Sequence, residues 1–283
     1  MELKTKVKGV SPPAIVLTIA GSDSGGGAGI QADLKTFARF GVYGTSAITA
    51  VTAQNTMGVT TWEAVSPSLV RAQIEAVLGD LPPRAMKTGM LGSAAVGRAV
   101  VETLRAHGAG STSDDAAHRA SRVPLVVDPV MVSTSGALLL EADAVRVVRE
   151  ELLPLTTLVT PNLDEVRVLL EMEVESEEEM CRAAERIVRE LGARAALVKG
   201  GHGRGDDVVD VLYDGAWHVV RHPRIATRST HGTGCTLSAA VTAGLAMGRE
   251  LREAVDDALE YVQRAIETAP GIGGGAGPLN HWA

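Results

Sequence analysis

The chain has 283 residues, with 27 Lys and Arg residues against 34 Asp and Glu residues, so its formal net charge at pH 7 is −7. This acidic balance disfavours a nucleic-acid-binding protein, which would need a basic surface. An apolar fraction of 45% with 22% charged residues is typical of a soluble globular protein with a sizeable core. Two cysteines cannot form a disulfide framework, which indicates a reducing compartment. The 31 glycines are the unusual feature, and their positions need an explanation.

The N-terminus superficially resembles a secretory signal, because Lys4, Lys6 and Lys8 precede the apolar run 14–20. That run is too short for a signal peptide and lacks a small-residue cleavage site after it. No segment reaches the roughly eighteen apolar residues of a membrane span. We therefore expect a cytoplasmic protein with no membrane segment.

Short β-branched runs alternate with longer segments of helical period. The predicted strands are 14–19, 47–53, 85–87, 125–127, 158–160, 197–198 and a hairpin over 208–220. The predicted helices are 30–40, 68–78, 93–106, 142–153, one from 163, 177–191, 236–247 and 251–268. The clearest helix is 177–191, because Ser176 and Glu179 form a capping-box pattern and Gly192 supplies the stop.

This alternation predicts a mostly parallel central sheet covered by helices, in a three-layer α/β/α sandwich. A (β/α)₈ barrel is the alternative, but the hairpin over 208–220 fits it poorly. No linker-like segment divides the chain, so we expect one domain over residues 1–283. The small, polar and aperiodic segment 108–123 is interpreted as a flexible surface insertion.

In parallel α/β sheets, ligands bind beyond the carboxyl ends of the strands. Those ends are followed here by polar residues and glycines, at 21–23, 54–55, 87–89, 128–129, 160–162 and 199–201. The dinucleotide-binding pattern would require glycine where Ile30 stands, and no Gly-Lys pair exists for a P-loop. The sequence therefore predicts a ligand site at this edge, but neither a typical dehydrogenase nor a P-loop ATPase.

A different anion site is indicated by residues 230–235 (THGTGC), which run directly into a predicted helix. Glycines at a helix N-terminus leave backbone N–H groups free to approach a phosphate, and the helix dipole favours the negative charge. Cys235 would lie at that positive end, where a lowered thiol pKa would suit a base. The alternative is a glycine-rich turn with a buried, inert cysteine.

A second candidate group combines Asp128, at one strand end, with Asn162 and Glu165 at the start of a helix. Oxygen ligands of this kind suit a hydrated Mg²⁺ that also binds phosphates. The spacing of Asn162 and Glu165 is equally typical of helix capping. The residues alone leave both interpretations open.

Seven segments together carry a family resemblance, in order along nearly the whole chain: 20–37 (AGSDSGGGAGIQADLKTF), 54–56 (QNT), 87–91 (KTGML), 128–136 (DPVMVSTSG), 160–165 (TPNLDE), 199–202 (KGGH) and 230–238 (THGTGCTLS). They resemble the hydroxymethylpyrimidine/phosphomethylpyrimidine kinase family of thiamine biosynthesis, within the ribokinase-like kinases. The resemblance implies a ribokinase-like fold and Mg²⁺-dependent transfer of the ATP γ-phosphoryl group. The acceptors would be 4-amino-5-hydroxymethyl-2-methylpyrimidine and then its monophosphate.

The resemblance also implies roles for individual residues. The implied catalytic group has an anion hole, a base and a phosphate-facing lysine, namely Gly232, Thr233, Gly234, Cys235 and Lys199. The implied pyrimidine pocket is Gly21, Asp33, Gln54 and Met90. The implied ATP and magnesium group is Asp128, Asn162, Glu165, Lys199 and Thr230, with Asp128 and Glu165 as metal ligands. A homodimer without nucleic-acid or membrane partners is expected.

Two alternative functions remain open at this stage. A pyridoxal or pyridoxine kinase of the same superfamily would also phosphorylate a hydroxymethyl group on a six-membered aza-ring, although Gln54 and Met90 favour a pyrimidine. A non-catalytic pyrimidine-binding regulator would keep the pocket without the transfer. The intact segment 232–235, with Asp128 and Glu165, argues against that regulator.

Overall fold

A computed structural model describes residues 11–107, 123–131, 142–201 and 205–283. The strands are β1 (Ile15–Ala20), β2 (Tyr43–Ile48), β3 (Ala50–Asn55), β4 (Gly58–Ala64), β5 (Ala85–Thr88), β6 (Leu125–Val127), β7 (Leu158–Val159), β8 (Ala196–Lys199), β9 (Asp207–Tyr213) and β10 (Trp217–Pro223). Eight of them form one sheet in the order β10-β9-β8-β7-β6-β5-β1-β2. Neighbours from β8 to β2 pair in parallel, whereas β9 and β10 are antiparallel additions. The sheet has two edges, so the barrel alternative is wrong.

The α-helices are α1 (Gly29–Arg39), α2 (Pro67–Asp80), α3 (Ala94–Ala106), α4 (Ala142–Val147), α5 (Leu163–Leu170), α6 (Glu177–Leu191), α7 (Thr233–Ala246) and α8 (Leu251–Glu267). The helix expected over 142–153 is correct only in its first half, because a π-helical turn (Val148–Leu152) and a 3-10 turn (Leu153–Leu155) follow α4. The expected caps of α6 are confirmed, since Ser176 and Glu179 form the capping box and Gly192 has a φ of 78°.

Alternate residues of the strands enter two different cores, which is the signature of a sheet covered on both faces. In β6, Leu125 and Val127 belong to the core that includes residues of α2 to α6. Val126, between them, belongs to the core that includes residues of α7 and α8. Val16 of β1 packs in a third cluster, with Phe37 of α1 and alanines of α7. The expected three-layer α/β/α sandwich is therefore confirmed.

The strand expected over 47–53 is divided between β2 and β3, because the chain leaves the sheet at Thr49. The hydroxyl of Thr49 donates to the Met90 carbonyl (2.6 Å), and its backbone N–H donates to the Ala20 carbonyl (3.0 Å). The segment beyond it forms a separate antiparallel hairpin of β3 and β4, which we call the flap. Every residue of β4 is exposed, so this strand has no buried face that an apolar-polar alternation could have revealed.

The insertion expected over 108–123 falls almost entirely outside the described residues, as does Gly136 of the fourth motif segment. Among the helices that the structure does describe, none is both long enough and apolar enough to cross a bilayer.

Candidate active site

The carboxyl ends of the parallel strands open into a cavity of about 770 Å³. Two glycine-rich loops border it: the first loop, residues 21–29 between β1 and α1, and the phosphate loop, residues 230–235 before and within the start of α7. Twelve of the predicted site residues line the cavity: Gly21, Gln54, Met90, Asp128, Asn162, Glu165, Lys199, Thr230, Gly232, Thr233, Gly234 and Cys235. The expected cluster at this edge of the sheet therefore exists, with the exception of Asp33.

The phosphate loop depends on glycine for its shape. Gly232 is the N-cap of α7 with a φ of +85°, and a Cβ there would lie 1.8 Å from the carbonyl oxygen of Gly27 in the first loop. Thr233 donates its backbone N–H (3.3 Å) and its hydroxyl (2.7 Å) to the Thr230 carbonyl. The N–H groups of Gly234 and Cys235 occupy the first helical turn, where no intrahelical acceptor exists. The loop can thus present a positive helix end to an anion.

Cys235 lies at the third position of α7 and is half-buried. Burial raises the pKa of its thiol to about 11, and the negative charges of Asp33 and Asp128 act in the same direction. The positive charge of Lys87 and a hydrogen bond from the backbone of Gly29 oppose this increase. The expectation of a lowered pKa is therefore wrong, because the loss of hydration outweighs the helix end and the nearby lysine.

Lys199 and Asp128 form an ion pair beside the phosphate loop. Their Nζ and Oδ1 atoms lie 3.1 Å apart, with side-chain exposures of 13% and 3%. Burial alone would lower the pKa of Lys199, but the negative charges of Asp128 and Glu165 raise it, so the ammonium group keeps its charge. A Cβ on Gly234 would lie only 3.1 Å from the Lys199 Nζ, so glycine lets α7 start directly against this cation.

Both interpretations of Asn162 and Glu165 have support in the structure. They form a reciprocal capping box at the start of α5: Asn162 Oδ1 accepts from the Glu165 N–H (2.9 Å) and Glu165 Oε2 accepts from the Asn162 N–H (2.8 Å). Glu165 also lines the cavity, and burial together with the charge of Asp128 raises its pKa to about 7, against the attraction of Lys199. Two buried carboxylates that face one cavity can coordinate a divalent cation, and the cation would neutralise their charge.

Across the residues that the structure describes, no group of three or more His, Cys, Asp or Glu side chains is arranged to hold a metal ion. A magnesium ion at Asp128 and Glu165 would therefore need oxygen atoms from a phosphate or from water to complete its shell. Mg²⁺ commonly binds proteins in this way.

The other wall of the cavity combines an amide, a thioether and a close backbone approach. A Cβ on Gly21 would lie 2.7 Å from the Met90 methyl carbon, so glycine makes room for that side chain. Gln54 comes from the flap and is tied to Ser24 of the first loop. The Ser24 hydroxyl donates to the Gln54 carbonyl (2.6 Å) and accepts from the Gln54 N–H (2.8 Å). Trp62 of the flap also lines the cavity, although it was not among the predicted site residues.

Asp33 does not line the cavity. Its carboxylate is fully buried beneath it and accepts hydrogen bonds from the Thr18 hydroxyl (2.6 Å) and from the Lys87 ammonium (2.7 and 2.9 Å). Burial would lower the pKa of Lys87, but the charge of Asp33 raises it, so the lysine stays protonated. The structure thus gives Asp33 a role in holding a buried cation near Cys235.

Asp23 and His231 also line the cavity, although neither was among the predicted site residues. Asp23 accepts hydrogen bonds from the N–H groups of Gly25 (2.8 Å), Gly27 (3.0 Å) and Ala28 (2.8 Å), and its Oδ2 lies 2.8 Å from His231 Nε2. Burial opposes ionisation of Asp23, but these hydrogen bonds prevail and lower its pKa. An aspartate just before glycines is typical of a turn closed by its own side chain, and that signal could have identified it. The contact between Asp23 and His231 joins the first loop to the phosphate loop.

Comparisons with known proteins agree with this geometry. A family model described as phosphomethylpyrimidine kinase matches residues 23–280. The hydroxymethylpyrimidine/phosphomethylpyrimidine kinase of Rhizobium meliloti is 52% identical over 274 residues, covering 95% of this chain and 97% of the relative. The crystal structure of phosphomethylpyrimidine kinase from Clostridium difficile has a TM-score of 0.76 at 41% identity, covering 89% of this chain and 99% of that one. An ADP complex of Bacillus subtilis pyridoxal kinase has a TM-score of 0.84 at 36% identity, covering 95% and 97%.

Proposed function

This chain belongs to the phosphomethylpyrimidine kinase family, and on that premise we propose that it phosphorylates 4-amino-5-hydroxymethyl-2-methylpyrimidine with ATP in thiamine biosynthesis, first to the monophosphate and then to the diphosphate. One observation carries the proposal: the wall formed by Gly21, Gln54 and Met90 faces the same cavity as the phosphate loop. Phosphoryl transfer needs the acceptor and the phosphate donor held together in one site. The amide of Gln54 can both donate to and accept from an aminopyrimidine edge.

In the first transfer, the acceptor hydroxyl oxygen bonds to the γ-phosphorus of ATP while the bond to ADP breaks. The phosphate loop and the Lys199 ammonium stabilise the negative charge on the transferred group. The hydroxyl proton passes to the sulfur of Cys235. Because the pKa of this thiol is about 11, its thiolate is a strong base but a scarce one at neutral pH. In the second transfer, the acceptor is already an ionised phosphate, so positioning and charge neutralisation suffice.

We propose Asp128 and Glu165 as the protein ligands of Mg²⁺. Both carboxylates line the cavity beside the phosphate loop. The pKa of Glu165 is raised although Lys199 is close, so the positive charge of Lys199 does not offset the burial of Glu165 and the charge of Asp128. When bound, the ion would neutralise the charge of the nucleotide phosphates. Thr230 and Asn162 also line the cavity, and we assign them to nucleotide binding.

Pyridoxal phosphorylation is the second candidate activity, as a side reaction. The observation in its favour is the structural likeness to pyridoxal kinase, which extends over 95% of this chain. The deciding measurement is kcat/KM for pyridoxal and for hydroxymethylpyrimidine, in an ATP-coupled assay that separates the mono- and diphosphate products. We expect hydroxymethylpyrimidine to be preferred and both phosphates to form. A preference for pyridoxal would refute the assignment, and monophosphate as the final product would refute the second transfer.

We also propose that residues 1–283 form one catalytic domain, that it works in the cytoplasm, and that it forms a homodimer. The family match over residues 23–280 supports the single domain. The exposed apolar side chains of Val51 and Met57 on the flap, which do not line the cavity, support self-association. Sedimentation equilibrium would test this, with a monomer across micromolar concentrations as the contrary result.

A further inference from the structure

The C-terminal segment 271–278, which we call the strap, lies between the flap and the phosphate loop. On the flap side, the Thr56 carbonyl accepts from the Ala276 N–H (2.9 Å), and the Thr56 hydroxyl oxygen lies 3.3 Å from the Gly275 N–H that donates to it. On the other side, the Gly277 N–H donates to the Arg228 carbonyl (3.2 Å), and the Gly277 carbonyl accepts from the His231 N–H (3.1 Å). One short segment thus connects two walls of the cavity.

Glycines of the strap stand where a side chain would collide with its neighbours. A Cβ on Gly275 would lie 2.0 Å from the Thr56 carbonyl oxygen. Gly273 has a φ of +86°, and a Cβ there would lie 2.3 Å from the Thr56 hydroxyl oxygen. Gly274, between them, would meet only the sulfur of Met57, at 3.4 Å. The glycines therefore allow backbone contact with the flap turn, and their composition does not by itself indicate a flexible tail.

Beyond the strap, the chain is held by the helical layer. Leu279 and His281 are buried, with exposures of 1% and 3%. The Asn280 N–H donates to the Ala265 carbonyl (3.0 Å), and the Tyr261 hydroxyl donates to the His281 carbonyl (3.0 Å). The strap therefore ends at a fixed anchor on α8, so its position constrains both walls that it touches.

We infer that the strap sets the spacing between the flap, which carries Gln54 and Trp62, and the phosphate loop. Thr56 does not line the cavity. Thr56 and Gly275 are accordingly positioning residues, which act through the backbone of the flap and of the strap. The kinetic consequence rests on the proposed kinase function, whereas the mechanical coupling does not.

Two variants and a matched control test the inference. Gly275→Ala pushes the strap away from the flap turn, and Thr56→Val removes the acceptor of the Gly275 N–H with little change of shape. Gly274→Ala makes the same chemical change one residue away, without a close neighbour. We expect kcat/KM for hydroxymethylpyrimidine to fall about tenfold in Gly275→Ala and about fivefold in Thr56→Val, the loss expected from one hydrogen bond. Gly274→Ala should remain close to the wild type.

Amide hydrogen exchange without substrates gives a readout that is independent of activity. Faster exchange in both the flap and residues 228–232, with α8 unchanged, would support the coupling. Faster exchange in the strap and α8 alone, or equal kinetics for Gly274→Ala and Gly275→Ala, would overturn it. Thr56→Val carries the test if Gly275→Ala does not fold. A wild-type chain without kinase activity would refute the proposed function, and the exchange pattern would still decide the coupling.

Discussion

Replacement of Cys235 by alanine should separate the two phosphoryl transfers. The first acceptor is a neutral hydroxymethyl group whose proton must leave, and general-base catalysis typically contributes about 10²- to 10⁴-fold. The second acceptor is an ionised phosphate and needs no base. We expect Cys235→Ala to slow the first transfer by at least about 10²-fold and to slow the second by only a few-fold.

The raised pKa of the thiol gives this prediction a pH signature. With a pKa of about 11, the thiolate fraction at pH 7 is about 10⁻⁴, and it grows about tenfold for each unit of pH. The first transfer should therefore keep accelerating between pH 7 and 9 in the wild type, relative to Cys235→Ala. Glu165, whose pKa is about 7, titrates in both proteins, so the ratio of their rates isolates the thiol.

The assay is a single-turnover measurement with each acceptor in turn, which separates the chemical step from product release. Cys181→Ala is the matched control, because Cys181 lies on α6 outside the cavity. Thermal unfolding of each variant would show that the fold is kept. Equal losses for both acceptors would refute the division of roles. A ratio of rates that is constant from pH 7 to 9 would refute the high pKa as the origin of the base.

Three further substitutions test the surrounding structure. Gly232→Ala should lower kcat/KM by at least about 10²-fold, because a Cβ there would lie 1.8 Å from a backbone carbonyl oxygen. Gly79→Ala is the control, because a Cβ at that position has no neighbour within 4 Å. Glu165 has its pKa raised in the folded protein from 4.5 to about 7, so the wild type should lose stability as the pH rises through that range. In urea unfolding the loss should be on the order of 3 kcal/mol and absent in Glu165→Gln, whereas parallel pH profiles for the two proteins would contradict it. Lys87→Met leaves the buried Asp33 carboxylate without its cation and should lower the free energy of unfolding by about 3–5 kcal/mol in the same assay. A combined Lys87→Met and Asp33→Leu variant should recover part of that stability. An unchanged unfolding midpoint for Lys87→Met would refute the pairing.

The sequence predicted those parts of the fold that depend on local patterns. Apolar runs such as 125–127 identify buried strands because both faces of the sheet are covered. The capping box at Ser176 identifies the start of α6 because its two hydrogen bonds join residues three apart. The flap was missed because its second strand is exposed throughout and has no buried face that an alternation could have revealed. Its hydrogen bonds to the first loop and to the strap are tertiary contacts, which the local sequence does not encode.

The candidate site shows the same division between local and tertiary causes. Gly232 could be identified because glycines directly before a helix are a local sequence signal for an anion site. The pKa of Cys235 could not, since its sign depends on how much protein covers the thiol. The burial of Asp33 could have been predicted from the sequence. Ile30 and Phe37 share its face of α1 at helical spacing, and both are buried. That periodicity predicts a buried carboxylate, which requires a buried cation such as Lys87.

The glycines, which first set this composition apart, answer a packing requirement at several points of the site. A glycine loses more conformational freedom on folding than any other residue, so each one must be offset by contacts that a side chain would prevent. Gly232 meets Gly27 and Gly275 meets Thr56 at distances that leave no space for a Cβ, whereas a Cβ on Gly234 would force the Lys199 ammonium to shift. In two of these three places one backbone segment packs directly against another. The first loop, the phosphate loop and the flap are thus held at fixed spacings by main-chain contact, which is a more rigid basis for in-line phosphoryl transfer than contact between long side chains.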